Sequence, residues 1–332
     1  MSKEPVDIVG IGNAIVDVLS KTDDAFLQSE RLNKGAMTLI EEEQAEALYK
    51  KMGPGMEMSG GSAANTIAAF AAMGGRAGYI GKVSNDQLGN VFRHDICASG
   101  VQFTTAPLED GPSTARCLIL ITPDAQRTMC TYLGACVWIA PSDLDEAMIA
   151  NAGVTYLEGY LFDRPRAKQT FRRAAEVAHA AGKKVALSLS DAFCVERHRD
   201  EFLDLVEHHV DILFANESEI MSLYKTEDFD RAVQYVKEHC ELAALTRSEK
   251  GSVIVSKTGE PIIVPAAPVA KVVDTTGAGD MYAAGFLFGH ARGFPLAECG
   301  YLGSLAAAEV ISHVGARPQS DLAALVNMRK AG

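Results

Sequence analysis

The chain has 332 residues, 48% hydrophobic and 22% charged, with a formal net charge of −12. That size and composition predict a large buried core, and the acidic balance disfavours nucleic acid or an anionic membrane, both of which need surplus Lys and Arg on one face. No apolar run reaches the roughly 18 residues of a membrane span and residues 1–7 lack the apolar core of a secretory signal, so a cytoplasmic protein with a small-molecule partner is expected.

In chain order, residues 6–11 form a short apolar run closed by Gly12, which predicts a buried strand. Runs of the same kind recur at 78–83, 154–158, 185–189, 212–215 and 242–246. Helical periodicity falls between them, at 64–73, 166–181, 201–208 and 229–239, with Gly74 and Gly182 closing the first two. Alternating strands and helices predict an α/β fold, a doubly wound, mostly parallel sheet flanked by helices, as a single domain over 1–332. Such sheets bind ligands beyond the strand carboxyl ends, where Gly12, Glu158, Ser190, Asn216 and Thr246 fall. A hairpin breaks the alternation at 115–122 and 127–133; with 15–20 and 36–40 it predicts a small β-sheet lid built from about residues 14–40 and 101–135. A later hairpin, 252–256 and 261–264, is expected to border the main sheet. Seven cysteines without a Cys-x-x-Cys pair read as reduced, buried packing residues.

Four polar constellations carry candidate chemistry. Gly10-x-Gly12 precedes Asn13 and Asp17, but Ile15 occupies the place of a third glycine, which disfavours a nicotinamide dehydrogenase. Asp17 lies in an apolar stretch and is costly to bury unless it bonds something such as a sugar's vicinal hydroxyls; a solvated edge is the plainer alternative. Gly60 and Gly61 lead into a helix carrying Asn65, offering unobstructed backbone to a polyhydroxylated ligand, although glycines there also suit a simple tight loop. Asn216 and Glu219 stand one helical turn apart, so they share a face and can organise water around a hard cation, or merely start a helix. In the run from Asp274 to Asp280, Gly277 and Gly279 permit successive N–H groups to converge on one anion at a helix N-terminus, and Asp280 can take the proton of an attacking alcohol. An ordinary N-cap is the competing reading of that motif.

Gly60-Gly61 with Asn65, the stretch from Gly74-Gly75 to Gly81-Lys82 with Asp86 and Gly89, and Asp274 to Asp280 resemble both signatures of the ribokinase-like, or PfkB, carbohydrate kinases, over nearly the whole chain. The resemblance implies that Asp280 deprotonates a primary hydroxyl while Gly277, Ala278 and Gly279 form the anion hole, with Arg127 a lid arginine approaching the phosphates. It implies a nucleotide site at Asn216, Glu219, Thr246, Ser248, Gly251, Thr276, Gly277 and Gly279, and Mg²⁺ held at Asn216 and Glu219 through water. Ser248 stands where many members have glycine. Asn13, Asp17, Gly60, Gly61 and Asn65 are the implied acceptor site; Phe193 matches a base-stacking aromatic of the adenosine-kinase-like branch, and Leu161 replaces a second one. The implied reaction is ATP- and Mg²⁺-dependent phosphorylation of the 5′ hydroxyl of a ribonucleoside, adenosine to AMP, with K⁺ a further candidate cofactor and a free sugar the alternative acceptor. A catalytically idle ligand sensor using the same cleft is the rival from another class. Monomer and homodimer stay equally open.

Overall fold

Ile8–Ile11 is buried at every position, as are Ala77–Ile80 and Val154–Glu158 on either side of it, the pattern of strands covered on both faces. In the computed structural model, which describes residues 5–124, 126–163 and 165–328, these strands lie within a nine-stranded sheet. Its order runs Ile262–Val264, Ser252–Ser256, Leu242–Thr246, Ile212–Asn216, Lys184–Ser188, Val154–Glu158, Ile8–Ile11, Ala77–Ile80, Val101–Phe103. The first two strands are the expected late hairpin; they pair antiparallel with each other, Ser252–Ser256 is antiparallel to Leu242–Thr246 as well, and the other pairs are parallel. Chain order reverses at Ile8–Ile11, so the crevice of this doubly wound sheet opens above Gly12 and Asn13, opposite Glu158.

The second sheet has five strands in the order Met37–Leu39, Arg127–Tyr132, Ala115–Ile121, Ile15–Lys21, Gly55–Gly60. Two boundaries differ from the sequence expectation. Gly55–Gly60 belongs to this sheet although its Gly-Met-Glu-Met-Ser-Gly composition has little strand character; pairing with Ile15–Ser20 decides its state. Val101–Phe103, expected in the small sheet, instead pairs with Ala77–Tyr79 at the edge of the large one. Along Ile15–Lys21 burial alternates, with Val16, Val18 and Ser20 buried and Ile15, Asp17 and Leu19 on the other face. Val16 and Val18 share a core with Leu27, from the Asp24–Ser29 helix, and Leu48, from the Glu42–Tyr49 helix. Two short helices therefore cover the face left unaccounted for by the sequence, and Asp17 turns the opposite way.

Two helices place the crevice chemistry. Ser62–Ala72 and Ala278–Ala291 pack together with Phe70 edge-on to Phe288 at 5.5 Å. The second is buried continuously from Met281 to Gly289, because it also packs on Leu296–Val310 and, through Phe286 against Phe214, on the large sheet. Their N-termini meet at the crevice mouth. No described helix is long and apolar enough to cross a membrane. None of the seven cysteines is in a disulfide; six are buried and Cys97 is exposed.

Candidate active site

Glu158 ends its strand almost fully buried and ties two Gly-rich segments to each other. Its Oε1 accepts from Asn13 Nδ2 at 2.8 Å, and its Oε2 accepts from the Ala63 N–H at 2.7 Å. Burial pushes its carboxyl up to about 7, those donors oppose the shift, and the charge of Asp280 adds to it. Gly61, just ahead of the Ser62–Ala72 helix, has φ 95°, and a Cβ there would lie 2.1 Å from the Asn13 carbonyl oxygen. Only glycine gives this turn. The clamp leaves Asn13 Oδ1 and Asn65 Oδ1 buried without a hydrogen-bond partner. Asp17, within reach of the Asp280 charge, likewise has no bonded donor among the described residues, and unpartnered acceptors of this kind suit a ligand rich in hydroxyls.

Asp280 sits in the first turn of Ala278–Ala291 and is bonded across the helix pair, accepting from Ser62 Oγ at 2.6 Å and from Asn65 Nδ2 at 3.1 Å. Burial raises its carboxyl to about 6, while Ser62, Asn65 and the positive charge of Arg317 hold it from going higher. Gly277 is left-handed at φ 78° and rests against Ala316, where a Cβ would come within 2.9 Å. The helix's first i→i−4 bond runs from Met281 N to Gly277 O, so the N–H groups of Gly279 and Asp280 precede the ladder and are open to a ligand. A Cβ on Gly279 would meet nothing within 4 Å, which leaves room beside those donors. The loop before them is braced by Asp274: Oδ1 accepts from Thr276 N and Oγ1, and Oδ2 from Gly315 N. Arg127, on the second sheet, lies 2.9 Å from Asp274 Oδ2 and is buried. Burial alone would raise the Asp274 carboxyl, but the Gly315 N–H, Thr276 and the Arg127 charge together lower it.

On the far side of the cleft, Asn216 and Glu219 form a reciprocal capping box: Glu219 N donates to Asn216 Oδ1 at 2.9 Å, and both carboxylate oxygens accept from Asn216, at 2.6 Å and 2.9 Å. Burial brings Glu219 up to about 7, opposed by the Asn216 N–H and reinforced by Asp191. Thr246 ends the neighbouring strand. Ser248 is left-handed, φ 52°, a conformation that favours glycine over other residues. Gly251, φ 85°, closes the loop against the Val264 carbonyl.

Phe193 is 62% exposed beyond the Lys184–Ser188 strand, with the Arg197 guanidinium 4.4 Å from its ring centroid. Leu161, expected to line the acceptor site, is fully buried in the apolar core of that layer. Its neighbour Tyr160 is the exposed side chain, within electrostatic reach of Asp191, Asp280, Glu219 and Glu158, and burial raises its hydroxyl. Both residues lie in the 3₁₀ turn Gly159–Asp163 that follows the Val154–Glu158 strand. Sequence reasoning gave no role to Arg317. That side chain donates from Nη2 to Ser59 O at 3.0 Å and Ser59 Oγ at 2.9 Å, and its charge acts on both Asp17 and Asp280. Nothing local marks it, since it follows the last long helix in an irregular Gly-Ala-Arg-Pro segment.

A doubly wound sheet with two helix N-termini and a half-buried acid converging at its switch point is the frame of a group-transferring enzyme. Residues 39–322 match the pfkB family carbohydrate kinases, and the chain belongs to that family. Among solved structures it is similar to an adenosine kinase from Sinorhizobium meliloti, 53% identical, with 98% of this chain and 99% of that one covered and a TM-score of 0.89. It is also similar to a probable sugar kinase from Rhizobium etli CFN 42, 48% identical, with 98% of each chain covered and a TM-score of 0.89. A curated relative, a 5-dehydro-2-deoxygluconokinase from Geobacillus thermodenitrificans, is 26% identical over 266 residues, 76% of this chain and 78% of its own length. The protein is a phosphotransferase that uses an alcohol as acceptor, of the nucleoside and sugar kinase type.

Proposed function

We propose that the enzyme transfers the γ-phosphoryl group of ATP to the 5′ hydroxyl of a ribonucleoside, adenosine being the first candidate. The observation that carries the acceptor assignment is the set of unpaired acceptors, Asn13 Oδ1, Asn65 Oδ1 and Asp17, beside the carboxylate of Asp280. The ribose hydroxyls donate to the former, and the 5′ hydroxyl meets the latter. Asp280 takes the hydroxyl proton as the oxygen–phosphorus bond forms; the bond from the γ-phosphorus to the β–γ bridging oxygen breaks, and ADP departs. The open N–H groups of Gly279 and Asp280 receive the charge on the migrating group; of the expected hole at 277–279, the Ala278 N–H is instead donated to Thr275 O at 3.2 Å. The second sheet acts as the lid that excludes water, and Arg127 approaches the phosphates by sharing or leaving its partner Asp274.

Mg²⁺ fits Asn216 and Glu219 only through its own water shell, because both oxygens of Glu219 already accept from Asn216 and no group of three or more His, Cys, Asp or Glu converges among the described residues. When bound, the ion neutralises phosphate charge; the capping box orders the water around it. The base lies on Phe193, whose exposure and Arg197 partner suit stacking.

ADP release with adenosine, other nucleosides, ribose and fructose tests this reading. Turnover confined to free sugars would move the assignment to the sugar-kinase alternative, which the buried Leu161 and the Rhizobium etli relative favour. Ligand binding without turnover would favour a sensor. Phe193→Ala is expected to raise KM for adenosine about tenfold, the value of one lost stacking contact, with kcat unchanged. An unaltered adenosine KM removes Phe193 from the base site.

A further inference from the structure

Arg317 lies outside every motif used above, yet it is the hub of a chain of bonds under the acceptor site. Asp95, on the Gln87–Ala98 helix, accepts from Ser59 N at 2.7 Å and from Ser59 Oγ at 2.6 Å. Ser59, on the second sheet, accepts in turn from Arg317 Nη2 through both its carbonyl and hydroxyl oxygens. The arginine Nε is buried and has no hydrogen-bond partner. A guanidinium gripped at one end in this way is fixed in place, as a flexible ammonium is not.

The charged surroundings come from every element packed there. The Ser59 segment that Arg317 grips also touches both acids: a Cβ on Gly60 would lie 2.4 Å from the Asp17 carboxyl, and Ser62 Oγ donates to Asp280 at 2.6 Å. The charges of Asp95, Asp17, Asp280 and Tyr79 reach Arg317; those of Arg317, Arg127 and Asp280 reach Asp17, whose own charge reaches Cys117; and that of Asp280 reaches Glu158, Tyr156 and Tyr160 as well. Acids outnumber cations, and Asp17 and Asp280 repel each other. We propose that Arg317 is a positioning residue of the acceptor site: held by Ser59 and Asp95, it is the counter-charge that lets Asp17 and Asp280 be ionised together, one to accept the ring hydroxyls and the other to take the alcohol proton. This rests on the phosphoryl-transfer reading above.

Arg317→Met removes the charge at similar length. The acid limb of its kcat/KM profile is expected about one pH unit or more above that of the wild type, so activity falls about tenfold further near pH 6 than near pH 8.5. Arg317→Lys should restore part of the shift. Independently of any substrate, ¹³C carboxyl titrations of the unliganded protein should move upward for Asp17 and Asp280. A uniform loss at every pH with unmoved carboxyl titrations would reduce Arg317 to a structural strut and overturn the proposal. If Arg317→Met does not fold, Ser59→Ala loosens the guanidinium without removing it and should give a smaller shift in the same direction; no shift in Ser59→Ala overturns it too. A wild type that phosphorylates nothing on the panel, but whose Asp280 titration moves in the variant, sinks the kinase reading and sustains the counter-charge.

Discussion

Asp280→Asn is expected to lower kcat by roughly three orders of magnitude while KM for the acceptor changes by less than about threefold, the signature of a group needed for proton removal and not for uniform binding. The amide keeps the side chain's shape and can still accept from Asn65, so the acceptor pocket is retained. In the wild type the acid limb of kcat/KM should fall between about pH 6 and pH 7, where burial places the Asp280 and Asp17 carboxyls. Turnover within tenfold of normal would remove Asp280 as the base.

The same substitution has a stability consequence of opposite sign. The folded-state value of about 6 lies above the ordinary 3.8, so between those values the folded protein binds more protons than the unfolded one, and stability falls as pH rises through the window. The cost of the ionised carboxylate is absent below that window and complete above it, at most roughly 3 kcal/mol. Asparagine carries no such cost. Urea unfolding should therefore find Asp280→Asn more stable than wild type at about pH 8, with the gap closing towards about pH 4. A variant less stable at both pH values would mean that the bonds from Ser62 and Asn65 outweigh the buried charge.

What could be read in the sequence is what is contiguous. Gly277, Gly279 and Asp280 stand together because one turn must hold an anion and aim an acid, and Gly60, Gly61 and Asn65 are likewise one turn and one helix start. The strand ends at Glu158, Asn216 and Thr246 followed from alternation alone, and all three close the parallel strands expected of them. Long-range pairing was not legible. Gly55–Gly60 becomes a strand only because Ile15–Ser20 lies beside it, and the clamp of Glu158 on Asn13 and Ala63 joins segments 145 and 95 residues away. The helices over the second sheet were within reach. Asp23 caps the first by accepting from Phe26 N, and Glu41 with Gln44 boxes the second, both recognisable start signals. Arg317 carried no signal, since its partners come from a strand and a helix more than two hundred residues earlier.

Gly61→Ala should be the most damaging conservative change in the acceptor site. The added methyl would sit 2.1 Å from the Asn13 carbonyl oxygen, and that backbone cannot retreat because Glu158 holds the Asn13 side chain at 2.8 Å and the Ala63 N–H at 2.7 Å. Relief requires the two segments to part, which carries Asn13 away from Asn65 and dissolves the acceptor set between them. The expected result is a loss of roughly 2–4 kcal/mol in denaturant unfolding and a rise in acceptor KM of about tenfold or more. Gly74, past the other end of the same Ser62–Ala72 helix, supplies the control: its φ of 91° is nearly that of Gly61 at 95°, but a methyl there meets nothing within 4 Å. Gly74→Ala should cost only the backbone strain, about 1 kcal/mol, and leave KM unchanged. The difference between the two variants isolates the collision from the dihedral angle. Equal losses would mean that the Asn13 segment gives way freely, and the Glu158 clamp could then no longer be what fixes the geometry of the acceptor pocket.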